Sequence, residues 1–158
     1  MLAQRLKTFL KCEQGTQMIE FAFLLPFLIL LFAGAVETGR MFYTYTTLQK
    51  STEVGARYLS KIKAQDDGTY LSTDTDVAKS LVVCGRVDCT GQTMVANNLS
   101  TTNVTIGSPG TGTGTRYVTV TVTYTYTPQV FDLGRMTGVS QLTYNFTFTP
   151  SIKMRYLP

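Results

Sequence analysis

The stretch that decides the fold is EQGTQMIEFAFLLPFLILLFAGAV, residues 13–36. Residues 21–36 contain no charged side chain, and Glu20 is the one charge that interrupts the wider apolar segment. A helix rises about 1.5 Å per residue, so a helix over this segment roughly spans the ~30 Å hydrocarbon core of a bilayer. The sequence therefore predicts a membrane-spanning helix over residues 16–36.

The ends and the interior of this segment fit a membrane helix. Phe21 begins the charge-free run and Val36 ends it. Pro26 frees a backbone carbonyl, which membrane proteins satisfy through neighbouring helices or water, and it is a candidate kink. A secretory signal peptide is the alternative, because residues 33–35 supply the small side chains of a cleavage site. The length of the apolar run and the unbroken helical pattern beyond it favour an anchor.

A short basic segment precedes the apolar run. Residues 1–15, MLAQRLKTFLKCEQG, carry Arg5, Lys7 and Lys11. The chain has no run of Lys and Arg interleaved with aromatic residues, so the positive charge indicates membrane topology rather than nucleic-acid binding. The positive-inside rule then predicts an N-terminus in the cytoplasm and a C-terminal part outside it.

The helical pattern continues over residues 37–63. Mainly apolar residues recur at alternating steps of four and three, which defines one face of an amphipathic helix. The charged residues from Glu37 to Lys61 lie off this stripe. The stripe consists of Met41, Tyr45, Leu48, Thr52, Gly55, Leu59 and Ile62.

Residues 64–158 are predicted to form an α+β domain rich in strands. Val and Tyr alternate with Thr in RYVTVTVTYTYT, residues 116–127, and this period of two predicts a half-buried strand. Similar patterns predict strands at residues 142–149 and 103–106, and we expect all three in one antiparallel sheet. Residues 74–79 begin a short helical turn. The predicted fold class is α+β, with the long N-terminal helix covering a small antiparallel sheet.

The three cysteines are Cys12, Cys84 and Cys89. Removal of residues 1–15 leaves an even pair, which favours a Cys84–Cys89 disulfide in an oxidising compartment. Two thiols in a chain without histidine make a poor zinc site. Histidine is also the commonest general base, so we expect no catalytic residue, no metal, no cofactor and no enzyme activity.

The string EQGTQMIEFAFLLP places a glycine at the end of a basic leader and a carboxylate five residues later. This resembles the processing signal of type IV pilin-like proteins. A wider set of residues, within roughly residues 13–60, resembles the TadE-like family, the minor pilins or pseudopilins of the tight-adherence (Flp-type) pilus. The matching residues are Glu20, Phe21, Pro26, Gly34, Glu37, Gly39, Arg40 and Gly55–Ala56–Arg57–Tyr58.

The resemblance implies a pilin-like fold and cleavage by a prepilin peptidase between Gly15 and Thr16. The implied partners are other pilin-like subunits, the peptidase and the inner-membrane assembly platform, with no nucleic acid. The implied location is the cytoplasmic membrane, crossed once, or a pilus that serves cell adhesion. Cleavage creates an α-amine with a pKa of about 7.7–8.0. Glu20 of one subunit is then the expected assembly contact for the amine of a neighbour.

Two other hypotheses stay open. A pseudopilin of a secretion system shares the processing signal, although Pro26 and the run of residues 37–40, ETGR, favour the tight-adherence pilus. A membrane-tethered β-rich binding module is a different class, and it needs neither cleavage at Gly15 nor a carboxylate at Glu20.

Overall fold

The computed structural model describes residues 13–112, 115–129, 132, 138 and 144–157, with side chains described from residue 17 onward. The described residues form two α-helices, one short 3-10 helix (Thr101–Asn103) and five strands. The helices are α1 (Glu13–Lys61) and α2 (Ser72–Cys84). The strands are β1 (Val104–Gly107), β2 (Tyr117–Val122), β3 (Tyr124–Tyr126), β4 (Phe146–Phe148) and β5 (Ser151–Arg155).

The long helix α1 confirms the single continuous helix that the sequence predicts. It has 49 residues, a length of about 74 Å, and it stays helical through Pro26. Its C-terminal half carries the predicted stripe, with Leu48, Thr52 and Leu59 fully buried. This buried face packs against β2 and β5, so the amphipathic half of the helix covers the sheet as expected.

The second helix packs against α1 at a glycine. A Cβ atom added to Gly55 would lie 2.5 Å from Cγ2 of Val82, so only a residue without a side chain lets the two helices approach this closely. The helix α2 ends where Gly85 adopts the left-handed conformation (φ 72°) and donates its N–H to the Leu81 carbonyl. The short turn predicted at residues 74–79 is therefore part of a 13-residue helix.

The alternating strand is confirmed. Val118, Val120 and Val122 have no exposed surface, and the same alternation continues into β3, where Tyr124 and Tyr126 are buried. The intervening threonines are exposed or half-buried. Period-two patterning thus identifies the face that α1 covers.

The prediction of one sheet is wrong, because the strands divide into a three-stranded sheet, β1-β2-β5, and a two-stranded sheet, β3-β4. Both share one antiparallel register, since Thr121 pairs with Ser151 and Tyr124 with Phe148. Pro150 lies between the two ladders. It accepts a hydrogen bond from the Val122 N–H at 3.0 Å, but it has no N–H to donate in return. The proline therefore interrupts a ladder that is otherwise continuous.

The strand β5 is absent from the sequence-based prediction. Ile152 and Met154 alternate with polar residues and pack against the core, so the period of two was present but short. Of the strand predicted at residues 142–149, the structure shows β4. Residues 142–143 lie outside the described residues. The strand predicted at 103–106 is β1, shifted by one residue.

Candidate functional site

The apolar half of α1 has no cover within the described part of the chain. By length and composition the helix is able to cross a membrane: its apolar window has a mean hydropathy of 2.4, and none of that window is buried. Every described side chain from residue 17 to residue 32 is exposed. The large apolar side chains exposed up to Val36 are Met18, Ile19, Phe21, Phe23, Leu24, Leu25, Phe27, Leu28, Ile29, Leu30, Leu31, Phe32 and Val36.

The predicted processing bond and the predicted assembly contact lie near the N-terminal end of α1. Gly15 and Thr16 are within the first turn of α1. Glu20 follows just over one turn later and is exposed. Among the described residues, none forms a hydrogen bond or ion pair with Glu20. The role of Glu20 as an assembly contact therefore stays a prediction.

A second carboxylate, Glu37, directly follows the apolar segment and behaves differently. Only 8% of its surface is exposed, although the helical pattern placed it off the buried stripe. The Tyr126 hydroxyl and the Gln129 backbone N–H both donate to its Oε1 atom, the latter over 3.2 Å. Glu37 thus joins the helix to the end of β3, and the expectation drawn from the stripe is wrong at this residue.

The neighbours of Glu37 extend this junction. The Arg40 guanidinium donates to the Gln129 side chain at 2.7 Å, and the Tyr124 hydroxyl donates to the Asn97 carbonyl at 2.9 Å. A groove of 520 Å³ opens here between α1, β3 and residues 94–97. The junction is therefore a polar cluster set at the point where α1 leaves its apolar half.

The junction changes the acidity of Tyr126. Burial, and then the hydrogen bond to Glu37, raise the pKa of Tyr126 to about 12. Both causes favour the neutral phenol, because a phenolate would be desolvated and would face a carboxylate. The hydroxyl therefore remains a donor throughout the physiological pH range.

The residue pair predicted to form a disulfide lies at the far end of α2. The structure joins Cys84 and Cys89, whose Cα atoms are 5.7 Å apart, and so closes the loop that follows the helix. Oxidation of this pair in the cell stays a prediction. Within the described part of the chain, no three His, Cys, Asp or Glu side chains are grouped as metal ligands.

The two carboxylates had different visibility in the sequence. Glu20 was found because it interrupts an apolar run close to a glycine. Glu37 belongs to the TadE-like resemblance and to the ETGR run, but the helical pattern places it off the apolar stripe, so its burial does not follow from the sequence. Its partner Tyr126 is 89 residues away, a separation that no local pattern reports.

Comparisons with known proteins agree with the N-terminal motif. No curated protein matches the chain, and no solved structure matches it. A family model described as TadE-like protein matches residues 15–57, which end before α2 and the sheets begin. The matched segment includes the uncovered apolar half of α1, which by length and composition is able to cross a membrane. The segment of residues 15–57 is TadE-like, which confirms the resemblance predicted from the sequence.

Proposed function

We propose that this chain is a minor pilin or pseudopilin that takes part in assembly of a tight-adherence pilus. In this proposal a prepilin peptidase removes residues 1–15, and residues 16–36 anchor the mature chain in the cytoplasmic membrane. The α+β domain lies outside the cytoplasm. The partners are other pilin-like subunits and the inner-membrane assembly platform.

The observation that carries the proposal is the uncovered apolar half of α1 within a TadE-like segment. Burying one large apolar side chain is worth about 1.5–3 kcal/mol, so a helix exposing a dozen or so of them to water is strongly disfavoured. A bilayer supplies the missing cover before assembly, and neighbouring helices supply it in a filament. The same surface therefore serves both as anchor and as assembly face.

Glu20 gives this surface a specific contact. A carboxylate at the edge of a bilayer is costly unless it has a partner. Cleavage after Gly15 creates an α-amine at Thr16, which is largely protonated at neutral pH. Glu20 is exposed, and in the described residues it contacts no cation, so the amine of a neighbouring subunit is a fitting partner. Such a pair would fix the axial register of adjacent helices.

The orientation of the chain is part of the proposal. Arg5, Lys7 and Lys11 precede the apolar run, which supports an N-terminus in the cytoplasm. An outward C-terminal domain also suits the joined pair Cys84 and Cys89, because disulfides persist in oxidising compartments.

Processing is tested by mass spectrometry of the protein extracted from membranes of piliated cells. We expect a mature N-terminus at Thr16, and we expect Gly15→Val to block cleavage because a branched side chain obstructs a site that accepts glycine. An intact leader in piliated cells, or a cut near Ala35, contradicts the proposal. The second outcome would instead support a secretory signal peptide.

The assembly role of Glu20 is tested by crosslinking in cells. Glu20→Gln should keep processing and membrane insertion, since a neutral amide is cheaper to insert than a carboxylate. Crosslinks to pilin partners should be lost, because the amine of the neighbour loses its counter-charge. The matched control is Glu53→Gln, which removes an exposed carboxylate paired with Arg57 on the same helix. Normal crosslinks and piliation in Glu20→Gln would favour the tethered binding module.

A further inference from the structure

An aromatic pair on β4 and the residues before it is exposed, although the sequence pattern predicted a buried face there. Tyr144 and Phe146 stack with their ring centroids 6.5 Å apart, and the ring planes differ by 14°. Their exposed fractions are 55% and 47%. Large aromatic rings are costly in water, so a stacked pair of this exposure indicates a contact surface.

The position of this pair along α1 follows from three contacts. Phe148 packs edge-on against Tyr45, with ring centroids 5.5 Å apart. Phe146 is the ladder partner of Tyr126, whose hydroxyl donates to Glu37. The chain from Phe148 back to Tyr144 therefore descends along α1 towards the apolar half.

Tyr144 and Phe146 therefore lie beside the C-terminal edge of the apolar segment of α1. Gln17 to Val36 are the residues between Thr16 and Glu37, and at about 1.5 Å per residue they span the ~30 Å of a hydrocarbon core. The polar headgroup region adds roughly 5–8 Å on each side. Phe42 and Tyr43 are 60% and 73% exposed. They lie on α1 just outside this headgroup region.

We propose that Tyr144 and Phe146 rest in the headgroup region of the outer leaflet and seat the outer domain on the membrane. The inference rests on the proposed membrane helix, with which the aromatic pair is continuous in depth. Aromatic rings concentrate at the membrane interface because an apolar ring and a polar hydroxyl are both accommodated there. The Glu37–Tyr126 junction holds the ribbon of β3 and β4 at this level, so the rings meet lipid headgroups without any domain movement.

The chain contains no tryptophan, so one introduced tryptophan reports on one position. The full-length chain is reconstituted in vesicles of phosphatidylcholine and phosphatidylglycerol that carry spin-labelled lipids, labelled either near the headgroup or near the end of the acyl chain. Phe146→Trp should lose fluorescence chiefly to the label near the headgroup, and Tyr144→Trp is the second variant at the same surface.

Two further variants make the outcome decisive. Tyr117→Trp is the matched control. Tyr117 is an exposed strand aromatic that pairs with Arg155, and the next residue, Tyr156, accepts the Ala64 N–H just beyond the C-terminal end of α1. This position is far from the apolar half, so the variant should keep its fluorescence with either label. Phe27→Trp lies in the apolar helix and should lose fluorescence to the acyl-chain label. If Phe27→Trp is quenched while Phe146→Trp and Tyr144→Trp behave like Tyr117→Trp, the seating is wrong and the anchor stands.

The remaining outcomes are equally clear. If Phe27→Trp is not quenched, the membrane anchor of the proposed function fails, and the seating fails with it. If Phe146→Trp and Tyr144→Trp show blue-shifted emission with no quenching by either lipid label, a neighbouring protein covers the pair, and the lipid assignment is overturned.

Discussion

The two halves of α1 share one helix but differ in what covers them. From residue 17 to residue 32 every described side chain is exposed, whereas Leu48, Thr52 and Leu59 in the second half are fully buried. The first half is apolar all round, and the second is apolar along one stripe. A helix apolar on every side needs a partner outside its own chain, while an amphipathic one finds its partner within the fold.

The largest expected difference in the free energy of unfolding is between two leucine-to-alanine variants, one in each half of α1. Leu59→Ala leaves a cavity in the core and should lower the free energy of unfolding by about 2–5 kcal/mol. Leu28→Ala removes the same atoms from the uncovered half and should leave the unfolding of the outer domain unchanged. Thermal unfolding of the full chain in detergent, followed by near-ultraviolet circular dichroism of the tyrosines, measures both. Equal losses would show that the two halves are covered alike.

Two glycines of α1, one packed against the second helix and one with open space around it, sharpen the comparison. Gly55→Ala places a Cβ atom against the buried Val82 and should cost about 1–3 kcal/mol through overpacking. Gly39→Ala meets no atom within 4 Å and should stabilise the helix by up to about 1 kcal/mol. The same unfolding measurement serves here. A destabilising Gly39→Ala would reveal a close contact that the chain alone does not show.

The features predicted from the sequence are those with a local signal. The continuous helix followed from the apolar run and the step of four and three, and the buried faces of β2 and β3 followed from strict alternation. Residues near in sequence carry that information by themselves. The family resemblance was equally local, because the motif lies within residues 15–57.

The features missed depend on residues far apart in the chain. The sheet divides because Pro150 faces Val122, a pairing that exists only once β2 and β5 are in register. Glu37 is buried because β3 reaches it from 89 residues away. The exposure of Tyr144 and Phe146 could not be read from their alternating pattern either. A period of two shows which side chains share a face, but it does not show whether another element covers that face.

Glu37 and Glu20 allow the same comparison of stability at single residues, because Glu37 is buried and Glu20 is exposed. Glu37→Gln keeps an acceptor for Tyr126 but removes the charge that strengthens the bond, so the outer domain should lose about 1 kcal/mol of stability. Glu20→Gln should leave the stability of the isolated chain unchanged, because Glu20 is exposed and has no partner among the described residues. Unfolding of the two variants side by side tests this. An equal loss in Glu20→Gln would place its partner within the chain.

The smallest expected effect is a change in the titration of Tyr126 at high pH. It tests the hydrogen bond between Tyr126 and Glu37 separately from the rest of the fold. Burial and Glu37 raise the pKa of Tyr126 from 10.0 to about 12. The neutral phenol is the form that the folded state favours, so this contribution to stability is complete below pH 10 and is lost as the pH rises through 12. Alkaline titration of phenolate absorbance should therefore give a difference between the native chain and Tyr126→Phe that develops near pH 12. Tyr43→Phe, which removes an exposed hydroxyl from the same region, is the matched control. A Tyr126 difference that develops near pH 10 would show that β3 does not hold its hydroxyl against Glu37.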